Sequence, residues 1–111
     1  MVRSLDLLVF LSALVLPLDA QQTFVPTPPP QTYFQMGAFR TEANAQWLAK
    51  SLIRQGYAPR LRKDGILYRV FLTVLESEAP ALVQKLTRDG RNGFLQVTQE
   101  PLGTDLELST E

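Results

Sequence analysis

The sequence predicts an α+β domain whose elements run in the order β-α-β-β-α-β. Three observations carry that reading. Ala45, Leu48, Ala49 and Leu52, and again Ala79, Leu82, Val83 and Leu86, repeat at i, i+3, i+4, i+7, one apolar helical stripe each. Short runs with strand-like alternation flank both stripes. Between two of those runs stands Asp64-Gly65, a tight-hairpin signal. Right-handed crossovers then put both helices on one face of a four-stranded antiparallel sheet, the split-βαβ or ferredoxin-like arrangement, and leave the other face open.

Residues 1–30 are read as lying outside this fold. Residues 1–20, MVRSLDLLVFLSALVLPLDA, carry Arg3, a ten-residue apolar run from Leu7 to Leu16, and a break at Pro17. That run is too short for a hydrocarbon core of roughly 30 Å, which takes about 20 residues. It reads as a secretory signal peptide, with the mature chain starting near Gln21 and keeping no membrane anchor. No cysteine follows for lipidation. Residues 21–31 hold Pro26, Pro28, Pro29 and Pro30, which favour a stiff extended linker.

The domain itself is expected over residues 32–98. Tyr33 to Phe39 alternates and forms the first strand. Thr41 caps the first helix by accepting from the free N–H groups of its first turn, and Gly56 ends it. Arg60 to Arg62 and Ile66 to Leu72 form the hairpin. Ser77 opens the second helix, Pro80 being tolerated in its first turn, and Gly90 stops it. Phe94 to Thr98 is the last strand, and residues 99–111 read as an acidic disordered tail. About fifteen apolar side chains form the core, enough for only a few kcal/mol of stability. Trp47 is expected at the edge of that core.

Strand alternation assigns the two sheet faces. Phe34, Met36, Tyr68, Val70, Leu72, Leu95 and Val97 turn towards the helices. Tyr33, Gln35, Arg69, Phe71, Phe94 and Gln96 gather on the open face. Aromatic rings, an amide and a guanidinium suit a ligand that has both faces to stack and polar groups to bond. A glycan strand and a single-stranded nucleic acid both qualify. The plainer alternative is a solvated arginine beside a phenylalanine that half-covers itself.

Composition removes other classes. With no histidine and no cysteine, the chain has no imidazole base, thiol nucleophile, disulfide, or zinc site built on nitrogen or sulfur. No cofactor is implied. Asp64, Glu76 and Glu78 are not paired as a glycosidase needs, so the chain does not read as an enzyme. From Thr32 to Thr98 ten Lys or Arg stand against five Asp or Glu, whereas the tail has four acids and no base. The cluster Arg60, Arg62, Lys63 reads as a solvated sheet edge, or as a patch steering an anionic polymer.

The run Tyr33-Phe34-Gln35-Met36-Gly37-Ala38-Phe39 resembles the opening of a SPOR domain, the sporulation-related repeat. Asn44-Ala45 in the first helix, Gly56-Tyr57, Tyr68-Arg69-Val70 and Phe94-Leu95-Gln96-Val97 extend the likeness over residues 32–98. The resemblance implies a ferredoxin-like module that binds peptidoglycan at the division septum, on glycan strands stripped of stem peptides by amidases. It puts Gln35 and Arg69 on family positions of the sheet face. Cell-wall amidases and divisome proteins are the implied partners, and the cell envelope the implied location. The export signal argues against nucleic acid. Two departures stand out: Ala38 replaces a frequent serine, and Thr73-Val74-Leu75 replaces Gly-Pro-Phe, so the strand there is free to run on to Leu75. A structural or protein-binding envelope module that has lost glycan affinity is the alternative.

Overall fold

The computed structural model describes residues 27–109. The expected signal peptide and linker residues 21–26 lie outside the described residues. Strand β1 spans Gln31–Phe39, helix α1 Glu42–Arg54, β2 Arg60–Asp64 and β3 Leu67–Leu75. A 3-10 turn, Glu76–Glu78, leads into α2, Ala79–Arg88, followed by β4, Leu95–Val97, and β5, Thr104–Leu106. The β-α-β-β-α-β order stands, and β5 is added to it. All neighbours are antiparallel, in the order β4-β1-β3-β2-β5.

Local chemistry sets the helix ends. Thr41 Oγ1 accepts from the Asn44 N–H at 3.4 Å, as an N-cap does. At the other end Gly56 N–H donates to Ile53 O and Tyr57 N–H to Leu52 O, closing the last carbonyls in a Schellman pair. Gly90 and Arg91 repeat that pattern after α2. The second helix begins two residues later than Ser77, because the 3-10 turn takes up Glu76–Glu78. β3 does run on to Leu75.

One side of the sheet and both helices make the core. Phe34, Leu61, Val70 and Leu72 meet Ala45, Leu48, Ala49 and Leu52 of α1 and Leu86 of α2. A bulge between Gln35 and Gly37 inserts Met36 into β1, and Met36 packs against that core. Gly37 lies under α1: a Cβ there would stand 2.8 Å from the Phe39 ring and 2.9 Å from a Leu48 methyl. The helix can approach β1 this closely only over a glycine.

Three expectations are corrected. The register of β4 is shifted by one: Gln35 faces Leu95 and Phe34 faces Gln96, so Leu95 and Val97 share the face of Gln35. Phe94 and Gln96 therefore leave the proposed face. Phe94 packs edge-on against Phe34, centroids 5.4 Å apart, because burying that ring in the core outweighs burying Leu95. Trp47 is 65% exposed on the outer side of α1 and does not pack at the core edge.

The third correction concerns the tail. Residues 99–111 are expected to form a disordered tail, yet among the described residues Thr104–Leu106 pairs with β2, and Leu106 and Leu108 pack against the core. Beyond β5 the chain is held on α1, where Gln46 donates to Glu107 O and accepts from the Ser109 N–H. The basic cluster is consequently not a free sheet edge. Arg60 and Arg62 both bond Asp105, and Arg62 also bonds Glu100. Two of the tail's acids are thus paired with two of the domain's bases within the molecule.

Candidate functional site

The two central strands, β1 and β3, present Gln35 and Arg69 on the face away from the helices. Arg69 Nη1 donates to Gln35 Oε1 at 3.2 Å, and Nη2 reaches Asp64 Oδ2 at 3.5 Å. The sheet holds the pair in place: Arg69 is the register partner of Ala38 on one side and of Arg62 on the other. Gln35, Arg69 and Asp64 line a cleft of about 260 Å³ whose far wall is Val97 and residues 99–102. A guanidinium and an amide in one cleft offer N–H donors to a carboxylate or carbonyl, and an amide oxygen to a hydroxyl.

The aromatic part of the expected face is arranged differently. Phe71 is on the same face as Gln35, its direct register partner, but none of its surface is exposed. Tyr33 meets it edge-on at 6.4 Å, and the guanidinium carbons of Arg60 and Arg62 lie 5.5 and 5.3 Å from its ring centre. The alternation is right and the solvation is not: side chains from neighbouring strands close over the ring. Tyr33 is itself buried, its hydroxyl donating to Gln31 Oε1. Of the six residues expected on the face, Gln35 and Arg69 are brought together in the cleft. Tyr33 and Phe71 form a buried layer beside them, and Phe94 and Gln96 point to the helix side.

Arg62 was legible in the sequence only as part of a basic edge; its pairing with the acids of the tail was not. Its guanidinium donates from Nε to Asp105 Oδ1 at 2.7 Å, from Nη2 to Glu100 Oε2 at 2.8 Å, and from Nη1 to Pro101 O. Those carboxylates raise its pKa above the usual arginine value, and Arg62 holds the Asp105 carboxyl below its ordinary range. The signal that could have found this was the alternation of Leu106 and Leu108 in a segment marked only by its acids. Among the described residues no group of three or more His, Cys, Asp or Glu could hold a metal ion, and no helix is long and apolar enough to cross a membrane.

A five-stranded antiparallel sheet with two helices on one face and the Gln35–Arg69 pair on the other is a ferredoxin-like α+β module, β5 being added to the four-stranded core. The sequence model of the SPOR domain family matches residues 29–97, and the chain belongs to that family. These are non-catalytic, peptidoglycan-binding modules associated with the cell envelope. No curated protein and no solved structure matches the chain.

Proposed function

We propose that this chain is an exported module that binds peptidoglycan glycan strands, denuded of stem peptides, on the helix-free face of its sheet. The observation that carries the reading is the Gln35–Arg69 pair, 3.2 Å apart in a cleft at the centre of that face, inside the span that matches the family. Amidase action frees the lactyl carboxylate of each muramic residue, so a denuded strand carries more negative charge than an intact one. Arg69 supplies a charged donor fork for such a carboxylate, and Gln35 supplies an amide for the sugar hydroxyls. Residues 1–20 act as the signal peptide, residues 21–30 as the spacer (Gln31 already belongs to β1), and the division site is where such strands are made. Cell-wall amidases and divisome proteins are the partners this reading implies.

A second reading is favoured by a specific observation. Phe71 is buried and Asp64 shares Arg69, so the face offers less free ring and less free charge than the sequence promised. On that reading the module binds an envelope protein or serves structurally. Cosedimentation with purified sacculi, with and without prior amidase treatment, separates the two. The glycan reading expects retention that rises on amidase-treated sacculi; equal absence from both pellets favours the second reading.

A further inference from the structure

The family match ends at Val97, and the chain beyond it crosses the sheet. β4 is one outer strand and β5 the other, so Thr98–Gly103 must pass over β1, β3 and β2. The crossing is on the helix-free face, because the side chain it meets there is Arg62, register partner of Arg69. The strap ends against the hairpin, where a Cβ on Gly103 would collide with the Lys63 carbonyl. The result is three layers: the Phe71 ring, the Arg62 guanidinium above it, and the Glu100 and Asp105 carboxylates bonded to that guanidinium.

The strap is lightly seated. Leu102 is 73% exposed, and the Glu100 side chain is 54% exposed. Its polar hold on the face is Arg62, a residue only 8% exposed in a setting built for carboxylates. Arg62 also stands beside Arg69 across the β2–β3 ladder, where paired Cα atoms are about 5 Å apart. An acidic polymer reaching Arg69 would next meet Arg62.

We infer that Arg62 over Phe71 is a second carboxylate-binding position of the sheet face, filled in cis by Glu100 and Asp105, and that a carboxylate-bearing glycan displaces the strap to reach it. This rests on the glycan-binding reading above. The strap lowers the apparent affinity by the fraction of molecules in which it is closed, and a polymer with regularly spaced carboxylates can compensate by engaging both arginines. The chain thereby discriminates for multiply charged, stripped strands over isolated acidic sugars.

The test uses the full chain and soluble glycan strands released from sacculi by amidase. Glu100→Gln with Asp105→Asn keeps the shape of the strap and removes its charge. This double variant should bind about fivefold to tenfold more tightly than wild type, the scale of a few partly exposed ion pairs. Adding Arg62→Gln should cancel the gain. Arg69-dependent binding by wild type, with no gain in the double variant, overturns the strap inference and leaves the glycan reading intact. A gain that survives Arg62→Gln overturns it too, since diffuse charge would then be the cause. No binding by wild type and none by the double variant would overturn both readings.

Discussion

Gln35 and Phe71 are direct register partners on the two central strands and share one face, yet Gln35 lines a cleft while Phe71 has no exposed surface. The difference comes from β2, whose Arg60 and Arg62 lie over the ring, whereas its Asp64 stands beside Gln35 as a wall of the cleft. The two side chains therefore answer to different measurements.

Phe71→Ala should cost about 3–5 kcal/mol of stability, as truncating a fully buried aromatic does. Gln35→Ala should stay within about 0.5 kcal/mol of wild type and lose glycan binding. Denaturant melts of the two variants give the comparison. A Phe71→Ala protein as stable as wild type would mean that the ring is not packed as described.

Arg69→Ala should reduce sacculus binding about tenfold, the worth of one charge-assisted hydrogen bond. Arg54→Glu and Arg88→Glu, on the last turns of the two helices, serve as controls and should change it little. Lys85 is unsuitable, because it bonds Asp89 at 3.2 Å and stands 4.1 Å from the Tyr57 ring centre. Equal losses from both sides of the molecule would assign the attraction to diffuse charge.

The order of elements was legible because the helical and strand periods are clean, and because Gly56, Asp64-Gly65 and Gly90 punctuate them. The register of β4 was not. Phe94-Leu95-Gln96-Val97 alternates either way, and only the tertiary contact of Phe94 with Phe34 decides it. The fifth strand was hidden by its composition, since Asp105 and Glu107 alternate with Leu106 and Leu108 in a stretch whose acids suggested solvent. Gln35 and Arg69 were legible as a face; their bond, and the covering of Phe71 by arginines, depend on strands that alternation alone does not bring together.

Gly37→Ala should destabilise the fold by about 1–3 kcal/mol, because the added methyl meets Phe39 and Leu48 where the helix crosses β1. Thermal melting measures it. Combining it with Leu48→Ala should recover part of the loss relative to the sum of the single changes, since both act on the same contact.

Tyr57 should titrate at about 12 rather than near 10, burial being the larger cause and its 2.5 Å hydrogen bond to Asp89 the next. Its folded pKa is raised, so its contribution to stability is complete below the unfolded value near 10. That contribution is lost as pH rises through 10 towards 12. Ultraviolet titration of the phenolate in wild type and Tyr57→Phe checks the value. Stability should fall less steeply between pH 10 and 12 in Tyr57→Phe than in wild type, because that variant has no phenol at residue 57 to ionise on unfolding.

The fifth strand makes oligomeric state depend on where the chain is cut. A fragment ending at Val97, the last residue of the family match, would leave the outer N–H and C=O groups of β2 without their β5 partners, and Leu61 without Leu106 beside it. An open edge of that kind recruits another strand, and a second copy of the fragment is the strand at hand. Such a fragment should run as a dimer or larger assembly in sedimentation, and the full chain should run as a smaller species than the fragment's assembly.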